Sequence, residues 1–221
     1  MEPNEHHLTV SRTARYFTLG EPGAHLHEVW FALHGHGQLA RWFLRRFGPC
    51  AAPDRLIVAP EALSRFYVEP AVSHAKGRVR VGATWMTRED RLAEIADYVG
   101  YLDTLYDEVF ARVDRGAVKV LVLGFSQGVA TACRWLCRGR ARADTLVLWA
   151  GPLPAELDVE SVEPLRHTRV LRVFGERDEV AGAEALEIDA GRLRELGLDV
   201  PLLKFDGGHG LSPAILTSLT A

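Results

Sequence analysis

Four apolar runs, each closed by glycine, dominate the second half of this 221-residue chain: VKVLVLGF (118–125), TLVLWAG (145–151), TRVLRVFG (168–175) and VPLLKFDGG (200–208). A strand wetted on one face alternates apolar with polar residues. These runs are nearly continuous, as a strand covered on both faces requires. Helix-like stretches separate them, SQGVATACRWLCRG (126–139) and AEALEIDAGRLRELG (183–197). Such alternation predicts an α/β fold, a mostly parallel sheet with helices on both faces.

The first half fits the same plan. QLARWFLRRFG (38–48) reads as a helix closed by Gly48 and Pro49, and RLIVAPEAL (55–63) as a buried strand. The longest periodic segment is 87–114, where Leu92, Ile95, Val99, Leu102, Leu105, Val109 and Val113 recur every three or four residues. Thr87 with Asp90 gives it a capping-box-like start. SPAILTSLT (212–220) predicts a short helix with a Ser cap and Pro in its first turn. At the other end, LTVSRTARYFTLG (8–20) and HEVWFALHG (27–35) are β-rich runs around a Glu21-Pro22-Gly23 turn, an antiparallel start to the sheet. Residues 64–86 are irregular and rich in aromatics. No repeat or linker divides the chain, so a single domain over 1–221 is expected.

Composition narrows the function classes. With 48% hydrophobic and 25% charged residues the chain reads as globular, and a net charge of −3 supplies no broad basic field for nucleic acid or an anionic membrane. The densest basic stretch, Arg134–Arg142, reads as a solvated helix end. Three cysteines, an odd number, are expected as reduced, buried thiols. No apolar run reaches the ~18 residues of a membrane span, and the first residues have no basic-then-apolar signal pattern. A soluble cytoplasmic protein is expected. His6 and His7 are only a pair, without the spaced partners a metal site needs.

In parallel α/β sheets ligands bind at the carboxyl ends of the strands. Ser126 stands there in Gly124-Phe125-Ser126-Gln127-Gly128, between an apolar run and a helix-like one. This is the pattern of a nucleophile elbow, in which a sharp turn lifts a serine hydroxyl above the sheet. With 20 Gly in 221 residues, chance supplies only about 0.06 such matches. A serine hydroxyl is a weak nucleophile, so it needs a base and an acid to orient that base. Only His167 and His209 follow it. His209, in FDGGHG after the last strand, is the predicted base, because His167 precedes a strand and belongs to the opposite edge. Asp178 in FGERDEV, a few residues past the preceding strand, is the predicted acid, with Glu176, Glu179 and Asp206 as weaker rivals. The Gln127 amide supplies one oxyanion donor, and the glycine-rich LHGHGQ (33–38) lets further amides face inward. His34 and His36 also invite a metal reading, the weaker case because no carboxylate pattern accompanies them.

These motifs together resemble the phospholipase/carboxylesterase branch of the α/β-hydrolases, which includes carboxylesterases and acyl-protein thioesterases. LHGHGQ, APEA (59–62), GFSQG (124–128), GERDEV (175–180) and GGHG (207–210) carry the resemblance over about residues 28–210. It implies an α/β-hydrolase fold, Ser126, Asp178 and His209 as a triad, and the His36 and Gln127 amides as the oxyanion hole. It also implies a mouth near residues 64–86, where Trp85 and Met86 would line an acyl or leaving-group pocket; plain packing of a long loop is the alternative. The basic HAKGRVR (74–80) reads as a solvated loop. The expected partner is a small-molecule acyl ester or thioester, with no cofactor and no metal, and a homodimer is left open. Two rival readings are a non-catalytic binding protein of the same fold and a hydrolase of amide or peptide bonds.

Overall fold

The computed structural model describes residues 2–69 and 79–220. Among these described residues nine strands and five α-helices follow one another as β1 (Tyr16–Leu19), β2 (Glu28–Leu33), α1 (Ala40–Leu44), β3 (Arg55–Pro60), β4 (Ser64–Tyr67), β5 (Val81–Thr84), α2 (Arg91–Phe110), β6 (Lys119–Phe125), α3 (Gln127–Arg138), β7 (Thr145–Trp149), β8 (Arg169–Gly175), α4 (Ala183–Glu195), β9 (Leu202–Phe205) and α5 (Pro213–Ser218). Seven strands form one sheet in the order β1-β3-β2-β6-β7-β8-β9. All its pairings are parallel except that of β1 with β3.

The continuous apolar runs are explained by two separate cores. Val29, Phe31 and Leu33 of β2, with Val120 and Val122 of β6, pack against α2, α3 and α4 on one face. Trp30 and Ala32, with Leu121, Leu123 and Phe125, meet α1 and α5 on the other. Trp135 of α3 is fully buried, edge-on to Phe31 at 5.3 Å, and its indole N–H donates to Asp103 at 3.0 Å. Truncating such a side chain costs about 3–5 kcal/mol.

Several expectations need correction. Residues 8–15 form no strand; they are mostly exposed and lack a second covered face. β1 finds its antiparallel partner in β3, so no hairpin joins it to β2. The 38–48 helix is α1 followed by a tight 3₁₀ turn over Arg45–Cys50, which accommodates Pro49. The Thr87–Asp90 capping box does not form: Asp90 adopts φ 44° with no side-chain cap bond, and Glu94 accepts the Thr87 N–H at 2.5 Å. Leu92 is 68% exposed, while Tyr98 fills the core instead. Arg134 is buried and ion-paired with Glu156 at 2.6 Å rather than solvated. The irregular 64–86 stretch contains a hairpin, β4 against β5. By contrast, Ser212 caps α5 as expected, accepting from Ile215 N–H with Pro213 in the first turn. Cys50 and Cys133 are buried and Cys137 partly so, none of them in a disulfide. No helix among the described residues is long and apolar enough to cross a membrane.

Candidate active site

Register places the site. Gly124 of β6 lies opposite Leu33 of β2 and Leu148 of β7, so the loops after these three central strands emerge side by side at one edge of the sheet. Ser126 takes φ 54° and ψ −119°, a strained conformation for a residue with a side chain. Three features hold it there. Its N–H donates to the Trp149 carbonyl at 2.8 Å. A Cβ on Gly124 would collide with the backbone of Gly128, and a Cβ on Gly128 would collide with the Leu33 and His34 carbonyls. Both flanking glycines are therefore required by close packing of strand, turn and helix. Ser126 occupies the cap position of α3 yet makes no side-chain cap bond. Its hydroxyl is turned elsewhere.

Ser126 Oγ lies 3.0 Å from His209 Nε2, and His209 Nδ1 lies 2.8 Å from Asp178 Oδ2. Asp178 is buried, and its other oxygen accepts the Val180 and Ala181 N–H groups, each at 2.9 Å. A carboxylate so placed can only accept from the imidazole. His209 accordingly carries its proton on Nδ1 and presents the Nε2 lone pair to the serine hydroxyl. The histidine loop is pinned at Gly210, whose carbonyl accepts from the Trp149 indole at 3.0 Å, and at Gly207, whose carbonyl accepts from Arg177 N–H at 2.9 Å. The rival groups lie outside this cluster. Glu176 and Glu179 are exposed, Asp206 is paired with Arg177 at the surface, and His167 is exposed before β8.

In the loop after β2 the two histidines have different fates. His34 is fully buried: Nε2 accepts the Ala62 N–H at 3.1 Å, so Nδ1 donates to the Gly35 carbonyl at 2.8 Å. Burial lowers its pKa to about 4, and with both ring nitrogens engaged it has none left for a metal. His36 instead stacks on Phe66 of the hairpin at 5.1 Å. The Gly35, Gly37 and Gln38 amides all have acceptors, namely Gln38 Oε1, the Ala83 carbonyl and the Gly35 carbonyl. Among the described residues the His36 and Gln127 amides have none. A Cβ on Gly35 would press on Phe125 and Ser126 at 3.1 Å, which fixes how closely this loop approaches the elbow.

The Gln127 side chain does work that its sequence position does not reveal. Its Oε1 accepts the Trp85 N–H at 3.1 Å, and its Nε2 donates to Thr84 Oγ1 and the Met86 carbonyl, both at 2.9 Å. Elbow and hairpin are thereby tied together. Trp85 and Met86, expected at the mouth, sit behind Gln127: Trp85 is 3% exposed and donates through its indole to the His34 carbonyl at 2.8 Å, and Met86 packs on the core. A cavity of about 830 Å³ lies between residues 7–16 and α2; Trp85 borders it, but Ser126, Asp178 and His209 do not. Most of the basic 74–80 stretch lies outside the described residues. Glu5, His7 and Asp90 bring three possible ligand atoms within 4.8 Å, all on exposed side chains. Asp90 comes from a segment more than eighty residues away, so the His6-His7 pair alone could not reveal it.

The chain matches no protein-family model and no curated protein in sequence. Its structure does have counterparts. Esterase PE8 superposes with a TM-score of 0.65 at 23% identity, over 95% of this chain and 97% of its own. Acyl-protein thioesterase 2 of Zea mays gives 0.67 at 17%, over 94% and 96%, and a phospholipase/carboxylesterase of Dyadobacter fermentans gives 0.64 at 14%, over 96% and 98%. The chain has the α/β-hydrolase fold. Along this chain Ser126 follows β6, Asp178 follows β8 and His209 follows β9.

Proposed function

We propose that the protein is a serine hydrolase cleaving carboxylic esters or thioesters through an acyl-enzyme intermediate. The observation that carries this reading is the unbroken relay from Asp178 through His209 to Ser126, with contacts of 2.8 and 3.0 Å beside two unpaired amides. Ser126 Oγ attacks the acyl carbonyl carbon while His209 Nε2 takes its proton. Asp178 holds the imidazole in the required tautomer and stabilises its cation. The oxygen, now negative, is received by the His36 and Gln127 N–H groups. Collapse breaks the bond to the alcohol or thiol, which leaves with the proton from His209. Water, deprotonated by the same imidazole, then releases the acid and restores Ser126. Every step uses groups the chain already holds, so no cofactor is required. The esterase and thioesterase names of the structural counterparts support the substrate class.

A panel of p-nitrophenyl esters of graded acyl length, with one thioester and one peptide, tests the proposal. Turnover of esters or thioesters that disappears in Ser126→Ala is the expected result; turnover unchanged in that variant, or confined to the peptide, contradicts it.

A further inference from the structure

Arg172 stands in the middle of β8 with 7% of its surface exposed, where the neighbouring strands place Leu148 and Leu202. A charge buried to this extent is normally paired or fully hydrogen-bonded. Among the described residues the Arg172 side chain makes one hydrogen bond, from Nη2 to the Leu186 carbonyl at 2.9 Å, and has no carboxylate within 4.0 Å. Asp189 attracts it only at longer range. That carboxylate is engaged elsewhere, accepting the Leu153 N–H at 3.1 Å and facing Arg192 Nη1 at 3.9 Å. Most of the guanidinium's donors are therefore unused, and the group lines a cavity of about 140 Å³ walled by Leu148, Ala150, Phe174, Val180 and Leu186, with the already engaged Asp189 also in its lining. That volume matches roughly four or five waters.

Ser126, Asp178 and His209 do not line this cavity themselves, but residues of its wall touch Ser126 and Asp178. Gly151, in its wall, packs so tightly on the Ser126 carbonyl that a Cβ there would overlap it. Val180 and Ala181, also in its wall, donate the N–H groups that hold Asp178. We propose that this cavity is a subsite for a carboxylate borne on the acyl chain of the substrate, a short dicarboxylic half-ester or half-thioester, with Arg172 as its specificity-determining residue. The inference rests on the ester-hydrolase reading. A planar guanidinium matches a carboxylate by two parallel N–H contacts, and the apolar walls suit the methylene stem.

The test uses the full chain carrying Ser126→Ala, so that ligand is bound without being turned over. Monomethyl glutarate and methyl butyrate, which differ by the distal carboxylate, are titrated by ligand-observed NMR. Monomethyl glutarate is expected to bind at least tenfold more tightly. Arg172→Met should abolish that preference, and Arg172→Lys, which keeps a charge in place, should retain part of it. Equal binding of the two ligands, no binding of monomethyl glutarate, or a preference that survives Arg172→Met overturns the subsite. Labelling of the unmodified chain by a serine-directed phosphonate, measured in parallel, separates the two ideas: labelled Ser126 without a carboxylate preference sinks the subsite alone, and unlabelled Ser126 sinks the hydrolase reading.

Discussion

The elbow after β6 and the β4–β5 hairpin meet at Gln127, yet they differ in how far they depend on polar contacts from distant segments. At the elbow the constraint is steric and local: two glycines admit close backbone contacts, and Ser126 is locked at positive φ between a strand and a helix buried around it. The hairpin is packed as well, with Ala83 and Trp85 in the core and Gly82 against the Gly37 backbone, but its tie to the turn is polar, through the Gln127 side chain, and Gln38 pairs with Ala83. Tyr67 at its far end is 60% exposed. The close packing at the elbow tolerates little displacement of Ser126. The hydrogen bonds that tie hairpin to elbow can be rearranged one at a time.

Substitutions can break this contrast or sharpen it. Ser126→Ala has the largest expected effect, a loss of roughly 10³-fold or more in kcat with little change in melting temperature, because the new side chain is no larger than the old. Asp178→Asn comes next, with about 10²–10⁴-fold lost. The amide can still accept from Val180 and Ala181, but its NH₂ then faces His209 Nδ1 and favours the wrong tautomer. Gln127→Ala should cost about tenfold, and amide exchange should accelerate at Thr84–Met86 while the β6 amides stay protected. Equal acceleration in β6 would show that elbow and hairpin are one unit. Phe66→Ala, which removes the ring under His36, should raise KM a few-fold and leave kcat nearly unchanged.

Acid should act on the frame of the site in two stages. Burial keeps His34 neutral, with its pKa lowered to about 4 against an ordinary 6.5, so its contribution is complete above pH 6.5 and is lost as pH falls towards 4. Burial works against the Glu156 carboxylate, but hydrogen bonding to Arg134 overrides it and lowers the pKa to about 2. That contribution is present above about pH 4.5 and is lost towards pH 2. The His34 contribution is worth on the order of 3 kcal/mol, and that of the partly solvated Glu156 is smaller because water screens it. Denaturant melts from pH 7 to 3 should fall throughout, and Glu156→Gln should flatten only the section below pH 4.5.

Legibility in the sequence followed the same division. The parallel strands could be read because both faces of β2, β6 and β7 are buried, leaving apolar runs with little polar interruption. The elbow could be read because its glycines and serine are adjacent. The placing of Asp178 and His209 beside Ser126 could be read from their positions just past the ends of β8 and β9. What stayed hidden depends on distant partners. The Gln127 side chain bonds residues more than forty positions earlier. Arg134 looks like a surface charge until Glu156, 22 residues on, folds over it. Arg172 interrupts an apolar run in a way that propensity alone cannot explain.

The most direct test of the central claim is covalent labelling of the intact chain by a fluorophosphonate, located by peptide mass. The account predicts a single adduct on Ser126, slowed by at least two orders of magnitude in His209→Ala, whose fold should persist because the ring is partly exposed. An unlabelled Ser126 in folded protein, or labelling at the same rate without His209, would contradict it.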